Sequence, residues 1–173
     1  MKKKHICSYD SKLSTYGLGE WVEEPDHIIF KYESIKCRIK RISHTGHLCG
    51  YVKLPFLHTW SSLDCTDFDF IKVHGGITYS RREKNGWWIG FDCAHCDDFL
   101  PFYKNLNFNF EEMTYKNVKY VIDQCTFLAQ QVIESSQIQT QQEDYGLVTG
   151  FGNIGRQFWS LSVDKGRNSG RHA

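Results

Sequence analysis

At 173 residues, with 40% hydrophobic and 15% aromatic content, the chain has enough apolar material for one packed domain. A formal net charge of +1 gives no global field for phosphate backbones, and no run approaches the roughly 18 apolar residues of a spanning helix. An extended nucleic-acid surface and a membrane anchor are therefore excluded from the expectations. The basic start, Met1 to His5, is followed by no apolar signal-peptide stretch, and seven scattered cysteines (Cys7, Cys37, Cys49, Cys65, Cys93, Cys96, Cys125) are an odd set suited to a reducing compartment. The expectation is a soluble, cytoplasmic protein, with homo-oligomerisation left open.

Residues 1–20 mix Lys, Ser, Tyr and Gly without a period and read as a flexible arm. After the turn signal Glu24-Pro25-Asp26, His27 to Tyr32 and Ile35 to Lys40 read as a hairpin. Strict alternation there puts Ile35, Cys37 and Ile39 on a packed face and Lys36, Arg38 and Lys40 on a wet, basic one. His44-Thr45-Gly46-His47 is a turn, Leu48 to Leu54 a third strand, and Pro55 its end, because proline cannot donate to a ladder. Phe56 to Thr66 is a loop carrying His58, Trp60 and Cys65, the kind of segment on which a rigid sheet presents ligand-contacting groups.

Phe68 to Val73 and Ile77 to Tyr79 read as strand, interrupted by Gly75-Gly76, where the backbone can bulge or approach a bound group closely. Regular alternation would set His74 and Thr78 on the face opposite Ile71, Val73, Ile77 and Tyr79 unless the bulge resets it. Arg81 to Gly86 is a charged turn ending in Asn85-Gly86, and Trp87 to Cys93 is the partner strand, which brings His74 and the segment Asp92 to His95 to one rim. Phe99 to Glu112 is an aromatic, Asn-rich wrapping loop. From Tyr115 to Ser135 the period becomes helical, with Val118, Val121, Ile122, Cys125, Leu128, Ala129 and Val132 on one face. The predicted fold is α+β: an antiparallel sheet of about five or six strands covered by one long C-terminal helix, in a single domain over residues 21–136. Residues 137–173, Gln-rich and then Gly/Ser-rich, read as a mostly irregular tail with a short element around Phe151 to Leu161.

Three constellations carry chemistry. Imidazole and thiolate are the ligands zinc prefers, so a metal site would draw on His58, His74, Cys93 and His95, with Cys96 and Asp98 close by in sequence. Cys93-Ala94-His95-Cys96 is a C-x-x-C that lacks the second half of a structural zinc module. In an enzyme, His74 and His95, oriented by Asp92 and Asp98, would serve acid and base roles, for instance at a phosphoester. No G-x-S-x-G elbow, H-E-x-x-H or P-loop accompanies them. As a binding site, the ligand contacts would be His58, Trp60, His74, Gly75, Gly76, Thr78, Trp88 and His95, a set rich in aromatic and imidazole groups that suits a flat nucleotide-like molecule. Gly150-Phe151-Gly152-Asn153-Ile154-Gly155 matches G-x-G-x-x-G, but too little chain follows to build a dinucleotide-binding unit.

Four segments together, Trp21-x-x-Glu24-Pro25-Asp26, His47-Leu48-Cys49-Gly50-Tyr51-Val52 with Pro55-x-x-His58, Val73-His74-Gly75-Gly76-Ile77-Thr78-Tyr79, and Trp88-x-Gly90-Phe91-Asp92-Cys93-Ala94-His95-x-x-Asp98, resemble a family of small bacteriophage and prophage proteins. The likeness covers Trp21 to Ser135; Thr59 and Asp97 stand where that family tends to have Pro and Gly. The resemblance implies a viral accessory protein of the host bacterial cytosol, active in anti-defence or immune evasion. Joined to the site, it leads to the expectation of a protein that sequesters a small nucleotide-like ligand or blocks a host defence protein. A metal- or histidine-dependent hydrolase of a nucleotide or phosphoester is the alternative, and a purely protein-binding inhibitor a third.

Overall fold

The computed structural model describes residues 9–106 and 110–148, with side chains to residue 137. Met1–Ile133 forms one compact unit, and Glu134–Ala173 a second whose described part is helical. The β-branched and aromatic run His27–Tyr32 is strand β1, Glu33 turns the chain at a φ of 49°, and Ile35–Arg41 returns as β2. Leu48–Lys53 (β3), Tyr79–Glu83 (β4) and Gly86–Asp92 (β5) complete a five-stranded antiparallel sheet of order β1-β2-β3-β5-β4. Pleating sorts the side chains as the alternation requires: Ile35, Cys37 and Ile39 are buried while Lys36 and Lys40 are exposed.

Tyr9–Tyr16 forms helix α1, and a long helix, α2, spans Val118–Val148. The first half of α2 places Val121, Cys125, Leu128, Ala129 and Val132 in the core with Cys37, Ile39, Val52, Ile89 and Phe91 of the sheet. Gly50 permits this approach, since a Cβ there would stand 2.5 Å from the Phe91 ring and 2.6 Å from Cys125 Sγ. The helix begins where Asn117 Oδ1 accepts the Tyr120 N–H at 3.0 Å and Glu24 Oε1 accepts the Val118 N–H at 2.7 Å. A cap and a carboxylate thus meet the unpaired donors of the first turn. The α+β class and the covering C-terminal helix are as the sequence predicts. No helix among the described residues is long and apolar enough to cross a membrane.

Four readings change. Residues 68–73 are not a strand: Ile71 N–H donates to Phe68 O at 2.9 Å, Gly76 N–H to Val73 O at 3.0 Å, and the Gln131 side chain accepts the Lys72 N–H at 3.1 Å and donates to its C=O at 2.9 Å, so turns and α2 occupy the groups a ladder would need. The apolar residues Phe68, Ile71 and Ile77 sit in the main core and line a packed loop. The hairpin turn is shorter than predicted, because Arg81 and Arg82 pair with Trp88 and Trp87 inside β4 and β5. The N-terminal arm is held from Tyr9 onward: Tyr16 is buried, its hydroxyl donates to Ser43 O, and Lys12 bonds Glu24 O and pairs with Asp26 at 3.3 Å. Finally, α2 continues through the glutamine-rich segment, glutamine being a good helix former, so residues 137–148 are not irregular. The G-x-G-x-x-G match and the element expected around Phe151 to Leu161 lie outside the described residues.

The sheet face away from α2 is closed by stacking. The Arg38 guanidinium lies 4.6 Å over the Tyr51 ring and 4.4 Å over the Trp88 ring, and its fork binds Glu83 at 3.0 and 2.7 Å. Beside the sheet, Trp21 stacks on Phe99 and meets Tyr115 edge-on, joining the N-terminal segment to the turn that precedes α2. Arg41 locks this corner: 2% exposed, it binds Asp26 Oδ1 and Glu24 Oε2 at 2.8 Å, and the Gly46 carbonyl and Tyr115 hydroxyl at 2.7 Å. Among the described residues, replacing it leaves Asp26 only Lys12 as a cation and leaves Glu24 with the Tyr115 hydroxyl and the Val118 N–H but no countercharge. Arg41→Ala is expected to lower unfolding free energy by about 1.5–3 kcal/mol, the worth of hydrogen bonds to charged groups, read as a shifted urea midpoint; an unchanged midpoint would show that the remaining partners of Glu24 and Asp26 suffice without it.

Candidate functional site

Two short turns and the start of α2 build the site. The turn Val73–Gly76 closes with Gly75 at a φ of 63° and Gly76 at 81°, left-handed conformations that glycine adopts without steric cost. Gly75 also has no room for a side chain: a Cβ would stand 1.9 Å from His95 Cε1 and 2.1 Å from its Nε2. The turn His95–Asp98, closed by Asp98 N–H to His95 O at 3.0 Å, follows β5 directly. Thr114 clamps it, its N–H donating to Asp97 O and its carbonyl accepting from Phe99, both at 3.0 Å. The clamp carries the chain into Lys116 and Tyr120.

At the centre is Asp98, 1% exposed. Its Oδ2 accepts from His74 Nε2 at 2.8 Å, from the His95 backbone N–H at 2.9 Å, and from His95 Nδ1 at 3.3 Å. Among the described residues its Oδ1 has no hydrogen-bond partner, and it faces Lys116 Nζ at 3.6 Å. Burial raises the Asp98 pKa, but the bonds from His74 and the His95 backbone outweigh it and hold the carboxyl below its ordinary value. The two imidazoles stand edge to face with centroids 5.2 Å apart. His74 Nδ1 meets the Tyr120 hydroxyl at 2.9 Å, and its backbone N–H donates to Gln124 Oε1 at 2.9 Å. The two ring nitrogens of His74 thus link Asp98 to Tyr120 in a chain Asp98–His74–Tyr120; with a proton on Nε2 alone, Nδ1 would accept the Tyr120 O–H. Burial keeps Tyr120 protonated by raising its pKa further.

The structure gathers His74, His95, Asp98 and the Gly75–Gly76 turn, and disperses the other candidates. His58 is buried, its Nδ1 accepting the Trp60 N–H at 3.1 Å and its Nε2 donating to Val132 O at 3.3 Å. Burial lowers its pKa and keeps the ring neutral. Val132 lies three turns beyond Tyr120 on α2, about 18 Å along the axis at 1.5 Å per residue, so His58 does not join His74. Trp60 packs with Phe68 and Phe70, while the same loop leaves Phe56 and Leu57 exposed. Trp88 belongs to the opposite sheet face, under Arg38. Cys93 is 2% exposed and burial raises its thiol pKa, so it stays a thiol and falls outside the ligand cluster. Asp92 accepts the Ala94 N–H at 3.1 Å and caps its own turn. Among the described residues, no hydrogen bond joins the exposed Thr78 hydroxyl to the histidines.

Three residues complete the site without having been singled out: Lys116, just before α2, and Tyr120 and Gln124 on it. On α2, Tyr120 and Gln124 are four apart and share one stripe beside the apolar one, while Lys116 lies in the lead into the helix. A polar stripe flanking a buried face was the available signal, yet it looks the same as a solvated one until the partner turns are placed.

No protein-family model, curated protein or solved structure matches the chain. The geometry therefore carries the chemistry by itself.

Asp98 has a folded pKa below its unfolded one. Its contribution to stability is complete above the unfolded value and is lost as pH falls through the folded value. Asp98→Asn is expected to cost about 1.5–3 kcal/mol near neutrality, the worth of hydrogen bonds to a charged acceptor, and to flatten the acid limb of stability against pH. His58 works in a higher window: its folded pKa lies below the ordinary 6.5, so stability falls as pH drops below 6.5 and the unfolded chain takes up the proton first. Denaturant titrations from pH 8 to pH 4 on wild type, Asp98→Asn and His58→Gln would separate the two limbs; parallel curves for all three would refute both assignments.

Proposed function

We propose that the protein binds a small nucleotide-like anion at the rim formed by His74, His95 and the Gly75–Gly76 turn, and acts by sequestering it. One observation carries the reading: a single buried carboxylate, Asp98, fixes two partly exposed imidazoles beside a left-handed glycine turn. Side chains so held lose little freedom when a ligand arrives, which favours binding. Lys116, within 3.6 Å of Asp98, adds a cation to the same rim. Among the described residues, nothing lies within 4 Å of where a Gly76 Cβ would stand, so that side of the turn is open to a ligand. The resemblance to phage proteins supplies a context, in which removing a host signalling nucleotide would blunt a defence response.

Calorimetric titration with cyclic mononucleotides, cyclic dinucleotides and NAD-derived nucleotides tests this. A 1:1 complex is expected, weakened about 10–100-fold in His95→Ala, the cost of a hydrogen bond to a charged group. Denaturing the complex should release the nucleotide unchanged. Wild-type affinity in both His95→Ala and His74→Ala would remove the site from the explanation.

The Asp98–His74–Tyr120 chain favours a second reading, hydrolysis of a phosphoester. Asp98 would orient His74; His74 would take the Tyr120 proton as the phenol oxygen attacks phosphorus, and give it to the leaving oxygen as that P–O bond breaks. His74 would then deprotonate the water that displaces Tyr120 from phosphorus, Tyr120 recovering its proton from His74. Altered nucleotide after incubation, lost in Tyr120→Phe while binding persists, would establish turnover over sequestration. Unaltered nucleotide in wild type leaves the binding reading in place.

A further inference from the structure

We propose that His74 Nε2, His95 Nδ1 and an Asp98 carboxylate oxygen form a site for one divalent transition ion, of which Zn2+ is the type. The assignment deepens the ligand-binding reading and rests on the same cluster. Ligand atoms from all three residues lie within 4.8 Å of one another, although His74 and Asp98 come from separate turns. Two imidazoles and one carboxylate are a recurrent three-ligand set for such ions, with the remaining position left for water or a bound anion.

Three further features belong to a metal centre more than to a simple hydrogen-bonded cluster. The Asp98 Oδ1 atom is buried and accepts no hydrogen bond among the described residues, its contact with Lys116 Nζ at 3.6 Å being an ion pair beyond hydrogen-bond length. The distal nitrogen of His74 is fixed by Tyr120 at 2.9 Å, the orienting contact that metal-bound imidazoles characteristically make. Gly75, which no other residue type can replace without striking the ring, holds His95 against the turn while a third of its side chain remains open for entry.

Binding requires local proton shifts and a small spreading of His74 Nε2 from Asp98 Oδ2, now 2.8 Å apart, toward the roughly 3.3 Å that two ligands of one tetrahedral ion keep. His74 moves its proton from Nε2 to Nδ1, where the Tyr120 oxygen accepts it, and His95 moves its proton from Nδ1 to Nε2. The two freed lone pairs and the carboxylate then face the ion. Lys116 opposes the ion electrostatically at 3.6 Å from Asp98, which makes it a separate handle on the affinity.

The test uses the full chain, dialysed against chelator and titrated with Zn2+ and Mn2+, with Mg2+ as the control for a hard ion. One Zn2+ per chain is expected, bound at least about tenfold more weakly in His95→Ala and about tenfold more weakly in Tyr120→Phe. Lys116→Met is expected to bind it more tightly, a change that loss of structure would not produce. Circular dichroism melts check that each variant folds. Cys93→Ser and Cys96→Ser should bind as wild type does. Undiminished Zn2+ binding in His95→Ala, or its loss in either cysteine variant, would overturn the assignment. The two readings separate cleanly: Zn2+ binding with no response from any nucleotide, with or without the ion, keeps the metal site and removes the ligand. Nucleotide binding unchanged in chelator, with no Zn2+ bound, does the reverse.

Discussion

A carboxylate taken out of water costs several kcal/mol unless donors replace its hydration. Asp98 meets that requirement from different parts of the chain. His74 comes from the glycine turn before β4, the His95 backbone and ring from the turn after β5, and Lys116 from the lead into α2. The same bonds that satisfy the charge therefore tie these segments to one point. The rest of the site follows from it: the two rings cannot move independently, and Gly75 must stay bare so that His95 can stand where Asp98 holds it.

Arg41 is the reciprocal case on the far side of β2. There a buried cation gathers Asp26, Glu24, the Gly46 carbonyl and Tyr115. Glu24 also receives the first N–H of α2, so this network sets where the helix starts. Lys116 and Tyr120 lie in the stretch that begins there. The helix start therefore links a structural charge network to the candidate site, and the distance between them is covered by rigid hydrogen-bonded elements.

The sheet contributes two faces of different character. Its inner face is apolar against α2, with Gly50 letting the helix close on it. Its outer face carries aromatic rings already covered by Arg38, so Trp88 is committed to stacking on a guanidinium. Aromatic richness in this chain is largely spent on packing. The chemistry is concentrated where the sheet ends and the turns begin, in keeping with catalytic and binding groups being carried on loops by a rigid scaffold.

Much of this was legible in the residues. Alternation in His27 to Lys40 and the helical period after Tyr115 specify their elements because pleat and helix geometry dictate which positions are buried. Gly75-Gly76 beside His74, and the Asp92 to Asp98 segment, marked the rim, since paired glycines and reactive side chains in apolar sequence have few structural uses. What the residues left open is which polar groups meet. His58 and His74 look alike in sequence, yet one is satisfied by Trp60 and Val132 inside the core and the other by Asp98 and Tyr120. Phe68 to Val73 looks like a strand, but its backbone is bonded partly in local turns and partly by the Gln131 side chain of α2, which takes both the N–H and the C=O of Lys72. Sequence by itself determined the periodic elements, because periodicity is a local property of the backbone. Only the tertiary structure decided the membership of the site, because hydrogen-bond partners distant along the chain are selected by how the turns and α2 pack around one buried carboxylate.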